Sequence, residues 1–430
     1  MSEEASVQER QQVTDEVIQE ALRADKGPDA SLVSWKFEDF TMKGDNYTCL
    51  VTCLVVQYTL GGKLEEATYV AKMRRNIAMD TFASVIQKLV KWEGTCLAEI
   101  VPCMNKILKE LGHRGIGTAK AYHCVYEKDK EVLLLEDLRS RGFRMYDRKR
   151  GMDIPHARLV LQELGRLHAA SILLEKSLPE QDITKTWSIF QDMWESTGDT
   201  KKMLDGMTAS QLEGAAMIME KVPNYEHVVK WINQVKGSAA DVFMENSTSD
   251  PTFAVLVHGD CWTNNLLFRY NAAGDPVEVM LVDLQGMRRV SPAVDLNYFL
   301  YSSFNGPDRS PNVELFLGVY YTSFCEVLRA ANTPVPFTLE ELRQEYRRKM
   351  EYGCIAGMFV VPIILSEVED APDFEGITDD KMEEFAKQRQ EVLLKMISRE
   401  DGLLKPRFLD MFDEMVEAGI IPRHSKGDST

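Results

Sequence analysis

The sequence lacks the features that mark secreted, membrane-spanning or zinc-ribbon proteins. Its eight cysteines include no Cys-x-x-Cys pair, which argues against a structural zinc site or a dithiol redox motif. No apolar run approaches the roughly 20 residues that a membrane helix needs, and the polar, acidic N-terminus has no apolar signal segment. Internal repeats and low-complexity blocks are absent as well. These absences predict a soluble, cytoplasmic protein without a membrane span.

The charge balance is strongly acidic. The chain has 50 Lys and Arg against 67 Asp and Glu, which gives a formal net charge of −17. A surface this negative repels a phosphate backbone, which argues against nucleic acid as the main partner. An anionic nucleotide remains compatible, because a lysine and a divalent cation in a pocket reverse the local sign of the charge.

The distribution of strand and helix patterns divides the 430 residues into two lobes. The predicted segments are an N-terminal extension (1–30), a small sheet-rich lobe (31–138), a large helical lobe (139–422) and a flexible tail (423–430). The small lobe has one main helix pattern over 78–111, which Gly94 and Pro102 are expected to interrupt. The large lobe contains one strand-rich island, at 253–283. The predicted fold class is therefore α+β, with a small antiparallel sheet lobe, a helical lobe and a cleft between them.

Two short apolar strands in the island, at 253–257 and 277–282, deliver polar side chains into one region. The polar residues in question are His258, Asp260, Asn265 and Asp283. Mg²⁺ prefers hard oxygen ligands, with water and phosphate completing its shell, and Asn265 and Asp283 suit that role. Asp260 suits the role of holding a substrate hydroxyl and accepting its proton. A lone Asp-x-x-x-x-Asn is usually turn chemistry, but its combination with a strand that ends in Asp favours a catalytic site.

Two residues near this island are candidates for structural support. His258 is predicted to brace its loop by hydrogen bonds rather than to take part directly in catalysis. Asp295 lies in the first turn of a helix that begins after Ser291. Two interpretations of Asp295 remain open: an acidic residue favoured by the helix dipole, or a buried group that braces the catalytic loop.

Lys72 is the candidate cation for nucleotide phosphates. It ends a Tyr-Val-Ala-Lys sequence in an apolar strand predicted over 67–73, a context that resembles the third-strand signature of kinases. The alternative is an edge-strand lysine that points into solvent. Such a lysine needs a carboxylate from the following helix, where Glu93 and Glu99 are the candidates and Glu93 is preferred.

Two further segments are candidates for nucleotide contacts, and each has an equally good alternative. The turn that contains Lys43, Gly44 and Asn46 lies where a phosphate-covering loop would be, but its single glycine also fits an ordinary hairpin. Glu136 and Leu138 lie where the sheet lobe ends, and their backbone groups are candidates for binding an adenine edge. A plain strand end explains that segment as well.

A basic stretch and a methionine-rich stretch are interpreted without a function. Residues 139–150 hold six basic side chains and are predicted to form a solvated linker. The methionines between 193 and 219 are interpreted mainly as core residues.

These motifs resemble the ecdysteroid kinase-like family, also described as choline-kinase-like domain proteins. That family has the protein-kinase-like fold, which it shares with choline kinases and aminoglycoside phosphotransferases. The resemblance is carried, in the expected order over about residues 34–305, by KGDNY, YVAK, LLLEDL, LGRLHAAS, HGDCWTNNLLF and VDLQGMRRVSPAVDLNYFLYSS. It implies a bilobal protein-kinase-like fold and an ATP- and Mg²⁺-dependent kinase that phosphorylates a small-molecule alcohol.

The resemblance also implies residue roles by position. It makes Asp260 the general base, Asn265 and Asp283 the metal ligands, Lys72 the phosphate-binding lysine and Glu93 its ion-pair partner. Where the family has Asp-Phe-Gln, this chain has Asp-Leu-Gln from Asp283 onward, a mild apolar exchange that leaves the metal role in place.

The acceptor expected from the resemblance is a mostly apolar alcohol, with ecdysteroids first. Apolar side chains in 185–245 and 310–365 add modest support, although most are interpreted as helix core. A choline or aminoglycoside kinase is an alternative, and four tryptophans are candidates for a choline cage: Trp187, Trp194, Trp231 and Trp262. A nucleotide-binding pseudokinase is a second alternative, against which the intact Lys72 and Asp260 count.

Overall fold

The small lobe is built on a five-stranded antiparallel sheet with the strand order β1-β2-β3-β5-β4. The computed structural model describes residues 10–38, 49–75, 80–192, 199–245, 251–370, 378, 381–399 and 402–423. The strands of this sheet are β1 (Ser31–Glu38), β2 (Cys49–Leu60), β3 (Lys63–Arg74), β4 (Ala121–Val125) and β5 (Val132–Glu136). Valine, leucine, threonine and tyrosine make up most of β2, the residue types that favour a buried strand.

Strand β3 is central, because β2 pairs with it on one side and β5 on the other. Lys72 stands opposite Val51 on β2 and Leu133 on β5. The edge-strand alternative for Lys72 is therefore wrong: its backbone lies inside the sheet and its side chain is buried.

The helices of the small lobe are α1 (Asp15–Lys26), α2 (Asp80–Thr95) and α3 (Val101–Glu110), with a π-helical turn (Cys96–Ile100) between the last two. The interruption expected at Gly94 and Pro102 takes the form of this π-helical turn, because α2 ends one residue after Gly94 and α3 begins one residue before Pro102. A Cβ on Gly94 would lie 2.5 Å from the Tyr126 hydroxyl oxygen, so glycine allows the helix to approach the sheet closely. Pro102 occupies the first turn of α3, where a missing N–H is tolerated.

The large lobe is mostly helical and is centred on the buried helix α4 (Ile154–Ser177), which packs against α12. Its other helices are α5 (Ile183–Thr186), α6 (Ile189–Asp192), α7 (Asp199–Met219), α8 (Glu226–Val235), α9 (Ala239–Glu245), α10 (Pro292–Ser303), α11 (Gly306–Arg309), α12 (Val313–Ala330), α13 (Leu339–Arg348), α14 (Met350–Leu365), α15 (Met382–Ile397) and α16 (Leu404–Glu417). In the described ranges, no helix has both the length and the apolar character needed to cross a bilayer.

The strand-rich island of the large lobe forms two small sheets. Its strands, with the short β6 that precedes α4, are β6 (Arg144–Met145), β7 (Val255–Val257), β8 (Leu266–Tyr270), β9 (Pro276–Leu281) and β10 (Arg288–Val290). Strand β7 pairs with β10, and β8 lies between β6 and β9. The island predicted at 253–283 is confirmed, and so is the α+β class with a small antiparallel sheet lobe and a large helical lobe.

Candidate active site

Lys72 forms ion pairs with one carboxylate from each lobe. Its Nζ lies 2.5 Å from Glu93 Oε2 on α2 and 2.6 Å from Asp283 Oδ1, which follows β9. Lys72 and Glu93 are 6% and 2% exposed, so water does not screen this pair. Glu99, the other candidate partner, instead accepts a hydrogen bond from Trp187 Nε1 at 2.9 Å. The structure therefore brings Lys72, Glu93 and Asp283 together at the cleft.

The two carboxylates of this cluster keep Lys72 protonated. Burial acts to lower the pKa of Lys72, but Asp283 and Glu93 outweigh it and hold that pKa above its ordinary value. Burial raises the pKa of Glu93 to about 7, whereas Lys72 and the backbone N–H of Leu284 act in the opposite direction. The Lys72 ammonium is therefore charged at neutral pH and able to pair with an anionic group.

Asp260 is held by hydrogen bonds on both of its carboxylate oxygens. Asn265 Nδ2 donates to Asp260 Oδ2 at 3.0 Å and to the Asp260 backbone carbonyl at 2.9 Å. The Tyr298 hydroxyl on α10 donates to Oδ1 at 2.6 Å. Sequence reasoning did not identify Tyr298. The available signal was its spacing from Asp295, because residues three apart lie on the same face of a helix.

The pKa of Asp260 lies well above that of an ordinary aspartate. Burial is the largest cause and the negative charge of Asp283 adds to it, so the pKa rises to about 7 despite the opposing effects of Tyr298, Asn265 and Lys72. A general base works best when its pKa lies near the working pH. The environment of Asp260 is therefore suited to proton transfer at neutral pH.

Asp295 holds the backbone of the loop that carries Asp260. Its two carboxylate oxygens accept the N–H groups of His258 and Gly259 at 2.6 and 2.8 Å. His168 Nε2 lies 3.1 Å from the same carboxylate, and Asp295 is fully buried. Burial alone would raise the pKa of Asp295, but His168 and the backbone N–H of Gly259 hold it below its usual value. Of the two interpretations left open, the geometry is that of a bracing group.

His258 lies inside the loop as a buried, hydrogen-bonded ring. Its Nε2 is 3.0 Å from the Val282 carbonyl, and its Nδ1 is 3.3 Å from the backbone nitrogen of Asp260. A neutral ring with its proton on Nε2 satisfies both contacts. Burial lowers the pKa of His258, which favours this neutral form.

Gly259 allows the two loops of the site to touch. Its φ is +81°, and a Cβ there would lie 1.9 Å from the Gly286 carbonyl oxygen. Arg288 Nη1 donates to the same Gly286 carbonyl at 3.1 Å. The loop after β7 and the loop after β9 are thus in direct backbone contact, which places Asp260 and Asp283 in one site.

A cavity of about 340 Å³ lies between the lobes beside this cluster. Its apolar walls include Val51, Val70, Leu97, Leu135, Leu267 and Leu281. Lys72, Glu93, Asn265 and Asp283 line it too. The volume falls within the range of small-ligand pockets, which run from about 300 to 1,000 Å³. A cavity with apolar walls and a buried lysine beside oxygen ligands for a cation can accept a molecule with one apolar part and one anionic part.

The remaining predicted nucleotide contacts are distributed unevenly. Glu136 and Leu138 line the cavity, as a nucleotide site requires. Lys43, Gly44 and Asn46 lie outside the described residues. Arg139 and Arg144 also line the cavity, and both side chains are exposed to solvent.

Asn265 and Asp283 have donor atoms that suit Mg²⁺. Asn265 uses Nδ2 for Asp260, which leaves its carbonyl oxygen as the atom able to ligate a cation. Asp283 supplies a carboxylate that is 21% exposed, and both residues line the cavity. One or two protein oxygens with phosphates and water are the usual shell of Mg²⁺ at nucleotides. The residues present therefore fit the cation.

Comparison with known proteins gives a family match and distant structural likenesses. A family model described as the ecdysteroid kinase-like family matches residues 43–333. No curated protein matches the sequence.

Three solved structures resemble the chain at low identity. A Plasmodium vivax ethanolamine kinase is 12% identical, with a TM-score of 0.38, and the match covers 86% of this chain and 84% of that one. A Mesorhizobium loti choline/ethanolamine kinase family protein is 10% identical, with a TM-score of 0.35 and coverages of 87% and 92%. An aminoglycoside phosphotransferase complex with GDP and kanamycin is 12% identical, with a TM-score of 0.37 and coverages of 87% and 96%. At such scores these likenesses assign no substrate to this chain.

Proposed function

The chain belongs to the ecdysteroid kinase-like family, and we propose that it is an ATP- and Mg²⁺-dependent kinase that phosphorylates a mostly apolar alcohol. One observation carries the proposal: Asp260, held by Asn265 and Tyr298, lies in the same site as the Lys72–Asp283 ion pair. A base for a hydroxyl group and a cation for phosphates are the two groups that transfer of a phosphoryl group needs.

Each side chain of the site has one role in the proposed reaction. Lys72, held by Glu93, binds the phosphates of ATP, and Asn265 and Asp283 would hold Mg²⁺, which would supply charge neutralisation at the phosphate oxygens. Asp260 accepts the proton of the acceptor hydroxyl. The acceptor oxygen forms a bond to the γ-phosphorus, the bond from that phosphorus to the β,γ-bridging oxygen breaks, and ADP leaves.

The nucleotide base occupies the apolar cavity in this proposal. Glu136 and Leu138 line this cavity. The Leu138 carbonyl oxygen accepts a hydrogen bond from the backbone N–H of Phe143 at 3.2 Å. The segment with Lys43, Gly44 and Asn46 is proposed to contact the phosphates, by analogy with the glycine-rich loops of kinases.

The acceptor is proposed to be steroid-like, with ecdysteroids first, on the strength of the family. The choline alternative would use tryptophan rings as a cation cage. Two of these rings have other contacts, since Trp187 donates to Glu99 and the buried Trp231 packs on Phe412. Trp194 lies outside the described residues.

The test is phosphate transfer from Mg·ATP to a panel of steroid alcohols, choline and aminoglycosides, read by mass spectrometry. We expect a phosphate adduct of a steroid alcohol. Asp260→Asn should lower kcat by about 10²–10⁴-fold, since that is the usual value of a positioned general base. Mg·ATP should still stabilise the Asp260→Asn variant against unfolding, because Asp260 acts on the acceptor and not on the nucleotide. Asp275→Asn, an exposed carboxylate in the β8–β9 turn, is the matched control.

Three outcomes would contradict the proposal at different points. Robust choline phosphorylation without a steroid adduct would replace the acceptor class. Mg·ATP binding without transfer to any acceptor would identify a pseudokinase. An Asp260→Asn variant that keeps its rate within a few-fold would remove Asp260 from the role of base.

A further inference from the structure

Tyr298 is a buried tyrosine whose hydroxyl contacts the proposed base directly. It lies on α10 and is 8% exposed, and its Oη is 2.6 Å from Asp260 Oδ1. Burial and the negative charge of Asp260 hold the pKa of this phenol well above its usual value. Tyr298 is therefore a permanent hydrogen-bond donor to Asp260 and is not suited to accept a proton.

The Asp260 carboxylate is constrained from both sides. Tyr298 donates to Oδ1, and Asn265 Nδ2 donates to Oδ2 at 3.0 Å. A carboxylate has about four lone-pair sites, so these two bonds leave capacity for an acceptor hydroxyl. Because the two donors act on different oxygens, they fix rotation of the carboxylate about its last side-chain bond. Loss of either donor would free that rotation.

Helix α10 controls both the backbone and the side chain of the catalytic loop. Asp295 on this helix holds the N–H groups of His258 and Gly259. Tyr298, three residues later on the same face, holds the carboxylate of Asp260. The position of the proposed base relative to its own loop is thus set by one rigid element.

Tyr298 is itself packed into a network that reaches the second loop. Its ring centroid lies 6.5 Å from that of Tyr352, whose hydroxyl accepts a hydrogen bond from Arg288 Nη2 at 3.2 Å. Arg288 also donates to the Gly286 carbonyl at 3.1 Å. The surroundings of the Tyr298 ring are therefore connected to the loop that carries Asp283, which restrains the phenol.

We propose that Tyr298 is a positioning residue that orients the Asp260 carboxylate for proton transfer from the acceptor hydroxyl. This role rests on the proposed kinase function. It goes beyond that function, because neither ATP nor the cation requires Tyr298 for binding. An ordinary core tyrosine would need its ring for packing and some partner for its hydroxyl; here the partner is the reacting carboxylate.

Tyr298→Phe is the variant that isolates this role, because it removes the hydroxyl and keeps the ring. We expect kcat to fall by about 10- to 100-fold, the range for loss of a hydrogen bond to a charged group, with the KM for ATP unchanged within about twofold. Tyr301→Phe is the matched control. Tyr301 is buried on the same helix and donates to another carboxylate, Glu414, at 3.2 Å. The kcat of Tyr301→Phe should stay near that of the wild type.

A double-mutant cycle with Asp260→Asn separates positioning from a general loss of structure. If Tyr298 acts through Asp260, Tyr298→Phe should leave the residual rate of Asp260→Asn unchanged within about twofold. A purely structural role would lower that residual rate by the same factor as in the wild type, which would overturn the proposal.

The failure of this role differs from the failure of the proposed function. An active wild type whose Tyr298→Phe variant keeps its kcat overturns the role of Tyr298 alone. A wild type that transfers no phosphate overturns the kinase function and this role with it.

Discussion

Gly259 is the residue of the site with the least room for a side chain. It combines a φ of +81° with a Cβ position 1.9 Å from the Gly286 carbonyl oxygen. We expect Gly259→Ala to lower the free energy of unfolding by about 3–5 kcal/mol, because backbone strain and steric overlap act together. Gly274→Ala is the control: its φ is +89° but it has no neighbour within 4 Å, so it should cost about 1 kcal/mol. Denaturant unfolding measures the loss in free energy of unfolding for both variants. Equal losses would contradict a steric overlap between a Cβ at position 259 and the Gly286 carbonyl oxygen.

His258 should make stability depend on pH in a defined window. Burial lowers its pKa in the folded state, so below about pH 6.5 the unfolded chain binds a proton that the folded chain does not. The stability that the neutral His258 ring contributes is therefore complete above about pH 6.5. It is lost as the pH falls from there through the lowered pKa of the folded state.

His258→Gln tests this sign. The wild type should exceed the variant in free energy of unfolding most clearly at pH 7.5, and the difference should shrink towards pH 5.5, with a slope of up to about 1.4 kcal/mol per pH unit. Denaturant titrations at four pH values measure it. A difference that is constant with pH would show that His258 does not titrate as its burial implies.

At the scale of elements, α2 is anchored to the large lobe through Trp92. The Nε1 of Trp92 donates to the Met287 carbonyl oxygen at 2.7 Å. Its ring packs edge-on against that of Phe190 on α6, with the ring centroids 5.0 Å apart. Glu93, the partner of Lys72, is the next residue. The contacts of Trp92 therefore help to fix the position of Glu93, which forms the ion pair with Lys72.

Trp92→Phe should keep the ring contact and lose the hydrogen bond. We expect a loss of about 1–3 kcal/mol in the free energy of unfolding, since a buried carbonyl is left unpaired, and weaker binding of Mg·ATP. Trp35→Phe is the control, because its Nε1 donates to Asp15 at the protein surface; it should cost less than about 1 kcal/mol. Calorimetry measures the change in stability, and titration with ATP measures the change in affinity. An unchanged ATP affinity in Trp92→Phe would show that the Trp92 hydrogen bond does not support the nucleotide site.

At the scale of the whole molecule, the Lys72–Asp283 pair joins the two lobes across the cleft. These residues are 211 positions apart in sequence and 2.6 Å apart in space. A ligand that binds between the lobes stabilises the folded protein by about 2.7 kcal/mol at a concentration of 100 Kd. Both lobes contribute to that site, so binding should be visible in global unfolding.

Asp283→Asn should reduce the rise in unfolding temperature that Mg·ATP produces, because one anionic ligand of the cation is lost. Tenfold weaker binding would remove about 1.4 kcal/mol of ligand stabilisation. Removal of Mg²⁺ by EDTA should reduce the rise in the wild type similarly, and Asp275→Asn should leave it intact. If Asp283→Asn binds ATP like the wild type whatever the Mg²⁺ concentration, the metal assignment is wrong.

Local sequence was sufficient where the chemistry lies within a few residues of a recognisable strand. Alternating and apolar patterns predicted the strands around Lys72 and the island, and strand ends predicted where polar side chains emerge. Asp260 and Asn265, five residues apart, meet because a single tight loop joins them. Gly94 and Pro102 indicated where the first long helix pattern is interrupted, but only the structure gives the form of the break, a π-helical turn between α2 and α3.

By itself, then, the sequence determined the α+β class, the two lobes and the candidate set of Lys72, Asp260, Asn265 and Asp283. The tertiary structure agrees with the preference for Glu93 over Glu99, and it alone gave Asp295 its bracing contacts and brought Tyr298 to Asp260. The physical reason is range. Strand and turn patterns are set by neighbours along the chain, whereas these partners, separated by 21 to 38 positions, meet through the packing of helices against the sheet and loops.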